Sequence, residues 1–558
     1  MKDLYQSIHD ILYGYVKADS TSNTANEKKA ERFFLQHFAA QPYFQSHPEL
    51  LGAYPIPNDP LGRAAVWAMV RGKGPDTVVL IHHNDVVSVE DYKLLREYAY
   101  SPDELNEKLW EIRDSLSPEA ERDLESGGWL FGRGVCDMKG GGAIQMALLS
   151  EYAKERDFQG NVIVLGVPDE ENLSAGMRAG VELLCGLQEK YGLRYRLMIN
   201  SEPHQRKSPD EVVFSYGSIG KVMPFVYVRG CLAHAGKVFE GLNPVNIMSE
   251  IVRRTEVNME LSDAVGSEAA PPPTWLYLHE NKTAYDVSMP LAVNGCLSVL
   301  TCNRYPADVM RALRRICEQA FDAVLADMER NHAVFLQKTR RPQSPLPWKT
   351  RVVDFGELCR EAAEAHGAAF ESAYRAELQR LGREVREGGV SLISANFKLV
   401  DLVYDYIDDL SPRVVIGLVP PYYPNVSNAT HYADDPFAAR LHETLSGFAL
   451  REFGQRCTKE LFYTGISDLS YSCVTDAEEI ARELENSMPF YPSLYQLPLS
   501  AIERISMPCV NIGPWGKDFH KLTERVLKED LYIRTPRIAD FAVRHALSAF
   551  SGAAETTG

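Results

Sequence analysis

The chain has 558 residues, of which 45% are hydrophobic, so it can bury a large core and is long enough for two or more structural units. Its 76 acidic residues against 59 basic residues give a formal net charge of -17. Such an excess of negative charge would repel the phosphate backbone that drives non-specific nucleic-acid binding, which excludes nucleic acid as a partner.

No targeting or membrane segment is visible in the sequence. The N-terminus lacks the charged-then-apolar pattern of a signal peptide, and no apolar run approaches the roughly 20 residues that span a bilayer. None of the ten cysteines forms a C-x-x-C pair, which is typical of reduced thiols and not of disulfides or a cysteine-ligated metal. We therefore expect a cytoplasmic protein.

The N-terminal part predicts two helices over residues 1–40 and then two strands. The strands are RAAVWAMVRG and DTVVLIHHNDVV, with GKGPD as a hairpin-like turn between them. The second strand ends at His83, and Asp85 follows two residues later. Open α/β sheets bind their ligands at the carboxyl ends of the strands, so a His-x-Asp motif at this position is a candidate binding site. A strand end that is merely capped by polar residues would show the same pattern.

A polar stretch at 91–126 then predicts a helical surface excursion. The chain returns through WLFGRGV to Asp137, which stands before the glycine-rich start of a helix, GGGAIQMALLSEYAKE. These glycines do not follow the G-x-x-x-x-G-K-[ST] order of a phosphate loop, so close packing of the turn is the better interpretation.

Two further strands also end in acidic residues. NVIVLGV runs into Asp169, Glu170 and Glu171, and RYRLMINSEPH ends with Glu202. Adjacent carboxylates repel one another unless solvent or a cation compensates their charge. Three successive strands therefore deliver acidic or imidazole groups to one edge of the predicted sheet.

The pattern changes between about 219 and 335 to strand, helix, two strands and helix. This order predicts a small α+β domain inserted into a larger catalytic domain at 1–218 and 336–558. His234 lies in a loop of the inserted domain, where a single histidine is usually just solvated. The amphipathic stretch at about 354–387 predicts a helical insertion that packs on a core.

The last part returns to α/β character. RVVIGLVPP predicts a strand, FYTGISDLSYS a turn-rich segment, and MPCVNIGPWGKDFHKLTERV a strand, a loop with His520 and a helix.

Five side chains at strand ends or in loops combine imidazole and carboxylate without a thiolate: His83, Asp137, Glu171, Glu202 and His520. This mixture suits zinc, with cobalt or manganese as alternatives because such ligands discriminate poorly. Five ligands are too many for one catalytic zinc with an open position, whereas two metals that share one carboxylate would use all five.

The ordered motifs HHNDVV, GRGVCDMKGG, PDEENLSAG, INSEP and GPWGKDFHKLTE resemble a family, the di-zinc amidohydrolases. This family includes aminoacylases, acetylornithine and succinyl-diaminopimelate deacylases and glutamate carboxypeptidases. The resemblance is closest to the bacterial arginine-utilisation protein subgroup. It implies a zinc-exopeptidase-like α/β fold, in which helices flank a mostly parallel sheet and the inserted, ferredoxin-like α+β domain serves as a lid or in dimerisation.

The resemblance implies a role for each predicted ligand. Asp137 would bridge two zinc ions, His83 and Glu202 would complete one site, and Glu171 and His520 would complete the other. The neighbouring His82 is an alternative ligand, but the register of the His-x-Asp motif favours His83.

The resemblance also implies residues that act on the substrate. Glu170 would be the general base, and Asp85 would orient the metal-binding imidazole. His234 would help to hold the oxyanion, often across a dimer interface, and Arg304 would pair with a substrate carboxylate. Gly465, Ser467 and Asp468 in TGISDLS resemble a substrate-side glycine-rich loop, with a structural role as the alternative.

The sequence therefore predicts a cytoplasmic di-zinc hydrolase that cleaves an amide bond in a small N-acyl amino acid or dipeptide, with a link to arginine catabolism. Its expected partners are a small-molecule substrate and a second copy of the chain, without nucleic acid or membrane. Two alternatives stay open: a carboxypeptidase or dipeptidase of the same family, and a zinc-binding regulatory protein without turnover.

Overall fold

The computed structural model describes residues 2–206, 208–282, 284 and 286–551, which form two compact units. The first unit contains the described residues up to Ile219, Val426–Thr475 and those from Pro498 onwards. The second unit contains Gly220–Asn425 and Asp476–Leu497. The chain therefore leaves the first unit twice.

The helices are amphipathic or fully buried, as helices that pack on a sheet must be. In chain order they are α1 (Lys2–Lys17), α2 (Glu27–Ala39), α3 (Pro42–Ser46), α4 (Pro102–Glu111), α5 (Pro118–Ser126), α6 (Lys139–Tyr152), α7 (Ala175–Tyr191), α8 (Pro244–Thr255), α9 (Pro306–Lys338), α10 (Phe355–His366), α11 (Ala368–Arg386), α12 (Leu392–Tyr404), α13 (Asn428–His431), α14 (Pro436–Phe453), α15 (Ala477–Ser487), α16 (Leu499–Ile505) and α17 (Thr535–Ser551). Short 3-10 or π-helical segments lie at Pro48–Leu50, Glu90–Tyr98, Arg113–Ser115, Asp468–Tyr471 and Asp530–Arg534. In the described part of the chain, no helix combines the length and the apolar character that crossing a bilayer requires.

The strands are mostly short. In chain order they are β1 (Leu51–Pro55), β2 (Ala64–Arg71), β3 (Lys73–His83), β4 (Trp129–Phe131), β5 (Gln159–Val167), β6 (Arg194–Asn200), β7 (Glu211–Ser215), β8 (Gly217–Ser218), β9 (Gly220–Val222), β10 (Pro224–Arg229), β11 (Ala264–Val265), β12 (Glu268–Ala269), β13 (Thr274–Glu280), β14 (Ala292–Thr301), β15 (Val352–Asp354), β16 (Arg413–Leu418), β17 (Val426–Ser427), β18 (Arg456–Glu460), β19 (Cys509–Asn511), β20 (Gly516–Lys517) and β21 (Arg525–Leu527).

An eight-stranded mixed sheet forms the centre of the first unit, in the order β1-β2-β5-β3-β6-β19-β7-β18. β3 is parallel to β5 and β6, and β19 is parallel to β6. Antiparallel pairs lie outside this centre, at β1–β2, β2–β5 and β19–β7, and β18 is parallel to β7. The parallel arrangement that the sequence predicted is therefore confined to the central strands and the β7–β18 pair.

β2 and β3 follow each other in the chain but do not form the predicted hairpin. β5 lies between them, antiparallel to β2 and parallel to β3. All three strands have runs of buried apolar residues, and a buried strand must pair on both edges, which a local turn signal does not reveal. The insertion of β5 brings the carboxyl ends of β3, β5 and β6 next to one another.

The segment after β19 is a hairpin and not the predicted helix. β20 pairs with β21, and β21 pairs with β4, so that these strands form a separate three-stranded sheet. Val526 is fully buried and Leu527 packs on an apolar cluster around Trp129, which strand pairing with β4 makes possible. This small sheet joins the strand before Asp137 to the loop that contains His520.

The second unit contains a sheet in the order β13-β14-β10-β16-β15, with β9 also paired to β14. It is larger than the domain predicted for 219–335, because β15 and β16 lie in the same sheet as β10. α10, α11 and α12 contribute to the apolar core of this sheet, so the helical stretch predicted at 354–387 belongs to the second unit. Gly367, at a φ of 52°, separates that stretch into two helices.

Candidate metal centre

The five side chains predicted as metal ligands stand at the ends of strands or in turns of the first unit. His83 is the last residue of β3, and Glu171 and Glu202 follow β5 and β6. Asp137 lies between β4 and α6, and His520 lies in the hairpin between β20 and β21. Neighbouring strand ends and the small three-stranded sheet therefore supply one site.

Asp137 lies between the two histidines. Its Oδ1 is 2.9 Å from Nε2 of His83, and its Oδ2 is 3.2 Å from Nε2 of His520. Nε2 of His83 also lies 3.5 Å from Glu202 Oε1, while Nε2 of His520 lies 3.0 Å from Glu171 Oε1. The five side chains therefore form two pairs, each of one imidazole and one carboxylate, which Asp137 joins.

The carboxylates of this cluster shift the pKa of both histidines upwards. Hydrogen bonds to Asp137 and Glu171 raise the pKa of His520 to about 10. Burial alone would lower the pKa of His83, but Glu202 and Asp137 raise it well above its usual value. Burial and the neighbouring carboxylates also raise the pKa of Glu171 and of Glu202.

The cluster has the ligands and the charge that a divalent cation requires. Among the described residues, no lysine or arginine forms an ion pair with Asp137, Glu171 or Glu202. Ligand atoms of His83, Asp137 and Glu171 lie within 4.8 Å of one another. Imidazole nitrogen with carboxylate oxygen is a donor set that zinc accepts, so these residues fit a metal site.

His82 and His83 point to opposite sides of β3. The ring of His82 is fully buried, with Nε2 at 3.1 Å from the hydroxyl of Tyr15 and Nδ1 at 3.0 Å from Gln145 Oε1. A Cβ on Gly142 would lie 2.6 Å from this ring, so α6 can pack here only with a glycine. His83 is therefore the histidine of the cluster, and the glycines after Asp137 serve close packing as the sequence predicted.

Asp85 contacts both His83 and the turn after β5. Nδ1 of His83 lies 3.0 Å from the main-chain oxygen of Asp85 and 3.6 Å from its carboxylate, so the carbonyl is the hydrogen-bond acceptor. The carboxylate of Asp85 instead accepts the main-chain N–H groups of Glu170 at 3.1 Å and Glu171 at 3.3 Å. Asp85 thus fixes the imidazole through its carbonyl and the acidic turn through its side chain.

Glu170 lies in a turn that the buried carboxylate of Asp169 and its partners stabilise. Asp169 before it has a φ of 70°, and its carboxylate accepts Arg63 Nη1 at 2.6 Å and the main-chain N–H of Ala175 at 3.1 Å. Burial raises the pKa of Glu170 well above its usual value, as do the charges of Glu171 and Asp468. Glu170 makes no ion pair within the described residues, so its carboxylate stays available beside the cluster.

Sequence reasoning missed the ion pair of Arg133 and Glu524. Glu524 is fully buried, and its Oε1 accepts the main-chain N–H groups of Gly134 at 2.8 Å, Cys136 at 3.2 Å and Asp137 at 3.3 Å. The signal was present, since both residues lie inside the motifs GRGVCDMKGG and GPWGKDFHKLTE. Charged residues on two separate motifs cannot be paired without knowing that β21 lies beside β4.

The predicted substrate residues lie in both units. His234 is exposed in the second unit and its Nδ1 accepts the main-chain N–H of Gly236 at 3.1 Å. Arg304, also in the second unit, donates from Nη1 to the main-chain oxygen of Glu260 at 2.9 Å. In the first unit, Gly465 is exposed and Ser467 is buried, next to Asp468.

Asp468 belongs to the predicted substrate-side loop TGISDLS. It is fully buried, and burial raises its pKa to about 7. Its charge also acts on Glu170 and Glu202. The segment TGISDLS therefore places a further carboxylate beside the cluster.

Comparison with known proteins gives one family. Residues 102–542 match the sequence model of peptidase family M20/M25/M40. The chain is 31% identical over 538 residues to the uncharacterized protein YqjN of Bacillus subtilis (strain 168). The aligned region covers 96% of this chain and 95% of YqjN. It is 25% identical to protein RocB of the same organism over an aligned region of 554 residues, and this region covers 98% of this chain and 96% of RocB.

Solved structures show the same fold at low sequence identity. An M20 family metallo-carboxypeptidase, Sso-CP2 from Sulfolobus solfataricus, superposes with a TM-score of 0.51 at 11% identity. The match covers 97% of this chain and 99% of that structure, so the likeness in fold is not confined to one part of either chain.

Proposed function

Since the chain belongs to peptidase family M20/M25/M40, we propose that it is a metal-dependent hydrolase that cleaves an amide bond in a small N-acyl amino acid or dipeptide. The observation that carries this proposal is the position of Asp137, whose two oxygens contact two different histidines. A carboxylate with that arrangement can serve two cations at once.

In this proposal the five clustered side chains hold two zinc ions, with cobalt or manganese as substitutes. Asp137 is shared, His83 and Glu202 complete one site, and His520 and Glu171 complete the other. The pairing of His83 with Glu202 and of His520 with Glu171 supports this division. The carboxylate charges, which raise the pKa of Glu171 and Glu202, would be compensated when the metals bind.

When bound, two divalent cations in such a site lower the pKa of a water molecule and stabilise the oxyanion that forms at an amide carbon. Glu170 is the general base, which takes the proton of the attacking water on its carboxylate and transfers it to the leaving nitrogen. Asp85 keeps Glu170 in place through the main-chain N–H of that residue.

The remaining groups of this proposal come from both units, His234 and Arg304 from the second and Gly465 and Ser467 from the first. His234 would stabilise the oxyanion and Arg304 would pair with a substrate carboxylate, while Gly465 and Ser467 would line the substrate site. Leu276 and Leu278 are 54% and 55% exposed on the edge strand β13, which supports a homodimer through the second unit. In that case the unit would serve as both lid and dimerisation domain.

Arginine- or ornithine-derived compounds are the first substrates to test. The resemblance to the arginine-utilisation subgroup supports them, and a net charge of -17 attracts a cationic substrate. A cytoplasmic location would give the chain access to such metabolites.

Metal content and hydrolysis measured on the same sample test this proposal. Wild type, Glu170→Ala, Glu170→Gln and the exposed control Glu107→Gln would be compared on N-acetyl and N-succinyl arginine and ornithine and on a panel of dipeptides. We expect about two zinc ions per chain in all four proteins. The wild type and the Glu107 variant should hydrolyse at least one substrate class, and both Glu170 variants should be about 100-fold slower or worse.

The pattern of results separates the candidate functions. Turnover of N-acyl amino acids alone would identify a deacylase, and turnover of dipeptides alone would identify a dipeptidase. Zinc binding without any turnover would favour a regulatory zinc-binding protein. A wild type that binds no metal would overturn the assignment of the five ligands.

A further inference from the structure

The stretch 91–126 contains α4 and α5 and is joined to the hairpin that carries His520. Asp123 of α5 makes this connection, because its Oδ2 lies 2.8 Å from Nζ of Lys517 and 2.7 Å from Nε of Arg525. Lys517 belongs to β20 and Arg525 belongs to β21. One carboxylate therefore contacts both strands of the hairpin.

The contact is shielded from solvent on several sides. The side chains of Asp123 and Arg525 are 14% and 1% exposed. Nζ of Lys517 lies 4.4 Å from the ring centre of Trp129 and 4.7 Å from that of Trp515, which are 4.8 Å apart. Shielding of this kind strengthens an ion pair relative to an exposed one, so the contact can determine the position of the hairpin.

The loop of the hairpin has a conformation that depends on such support. Asp518 and His520 have φ values of 53° and 62°, in the left-handed region that residues other than glycine rarely occupy. Asp518 accepts Thr523 Oγ1 at 2.8 Å and Arg525 Nη1 at 2.5 Å. Arg525 thus contacts Asp123 with one nitrogen and the loop with another.

The side chain of His520 is 48% exposed, so few neighbouring atoms restrain it. Its orientation therefore depends mainly on the conformation of the main chain. Its distances of 3.2 Å to Asp137 and 3.0 Å to Glu171 require the loop to keep its present course. A shift of the hairpin by about 1 Å would separate these atoms beyond hydrogen-bond reach.

We propose that Asp123 is a positioning residue, which holds the His520 hairpin through Lys517 and Arg525 so that His520 can ligate a metal. This role rests on the proposed function, in which His520 completes one of the two sites. The stretch 91–126 would then have a structural role, because α5 positions Asp123 against the hairpin. Loss of Asp123 should weaken metal binding at the His520 site and leave the site of His83 and Glu202 intact.

Hydrogen–deuterium exchange and zinc binding of the full chain test this proposal. Asp123→Asn removes the charge with little change in shape, and Glu125→Gln removes an equal charge from an exposed position on the same helix. In the metal-free protein, Asp123→Asn should speed exchange across residues 516–527, and Glu125→Gln should not. Equilibrium dialysis against zinc should show one site weakened about 10- to 100-fold in Asp123→Asn and both sites unchanged in Glu125→Gln.

Two further variants make the test independent of folding problems. Lys517→Gln removes one of the two cations that contact Asp123, together with the Lys517–Glu119 ion pair, and it should weaken the same zinc site even where Asp123→Asn is too unstable to purify. The conservative variant Asp123→Glu should recover most of the wild-type zinc affinity, because a carboxylate is again present.

The outcomes for the two proposals are distinguishable. If the wild type binds two zinc ions and Asp123→Asn and Lys517→Gln bind both with wild-type affinity, the role of Asp123 is overturned and the proposed function stands. Unchanged exchange at 516–527 in both variants would overturn it as well. If the wild type binds no zinc, the proposed function fails and the role of Asp123 fails with it.

Discussion

The guanidinium of Arg133 lies 2.6 Å from the carboxylate of Glu524, and both side chains are 1% exposed. Arg133 precedes Asp137 by four residues, and Glu524 follows His520 by four residues. Their ion pair therefore fastens the two chain segments that bring Asp137 and His520 together. Because Glu524 also accepts three main-chain N–H groups around Asp137, it fixes the turn that presents this carboxylate.

We expect Arg133→Gln to destabilise the protein by about 3–5 kcal/mol, because the variant leaves Glu524 buried without its ionic partner. The matched control is Arg96→Gln, whose partner Glu90 forms an exposed pair with side chains 51% and 75% exposed. Exposed pairs contribute about 0–1 kcal/mol, so the control should stay within that range. Urea unfolding of both variants measures the difference, and equal losses of stability would contradict a special role for the buried pair.

His82 and His83 should respond differently to the same substitution. His83→Asn removes a group from the metal cluster and should abolish zinc binding at one site at least. His82→Asn removes hydrogen bonds to Tyr15 and Gln145, so it should lower the free energy of unfolding by about 1–3 kcal/mol and keep the zinc content of the wild type. Zinc content and thermal unfolding of the two purified variants provide the comparison, and zinc loss in His82→Asn alone would reverse the assignment.

Asp85→Asn should lower zinc affinity or the rate of hydrolysis about 10- to 100-fold. The N–H groups of Glu170 and Glu171 donate to different oxygens of Asp85, so in asparagine one of them would face the NH2 group of the amide and lose its acceptor. Ser22→Ala removes a hydroxyl that donates to the same carboxylate at 2.8 Å, and it should have less than a threefold effect. Zinc titration and kcat of both variants test this, and equal effects would show that the carboxylate acts through Ser22.

The sequence allowed three of the predicted ligands to be placed together, because His83 ends a buried apolar strand and Glu171 and Glu202 each follow one. Parallel strand ends meet at one edge of a sheet, which made His83, Glu171 and Glu202 candidates for one site. The pairing of β21 with β4 could not be predicted from the sequence, because it depends on contacts between residues about 400 positions apart. Without that pairing, neither the hairpin around His520 nor the ion pair of Glu524 can be recognised.

The extent of the second unit was equally hidden from sequence reasoning. Its sheet takes β15 and β16 from a region that reads as part of the first domain. β16 is a short apolar strand, and such a strand fits the core of either sheet. Local pattern identifies a buried strand, but only its partners decide to which unit it belongs.

A further prediction concerns His37, which is far from the metal ligands in sequence and sits in α2. Its Nε2 lies 3.2 Å from the hydroxyl of Ser150, and burial lowers the pKa of His37 to about 4. In the unfolded chain a histidine has a pKa near 6.5. Between these two values the unfolded state binds more protons than the folded state, so the free energy of unfolding falls as the pH decreases from about 6.5 towards 4.

His37→Gln should therefore flatten the pH dependence of stability, since glutamine stays uncharged at every pH. Between pH 7 and pH 5 the wild type should lose about 2 kcal/mol more than the variant. The control is His47→Gln, in which a histidine with a 49% exposed side chain is replaced and the pH dependence should keep its wild-type slope. Unfolding by urea at several pH values gives these slopes, and a His37 variant as acid-sensitive as the wild type would show that other groups determine the loss.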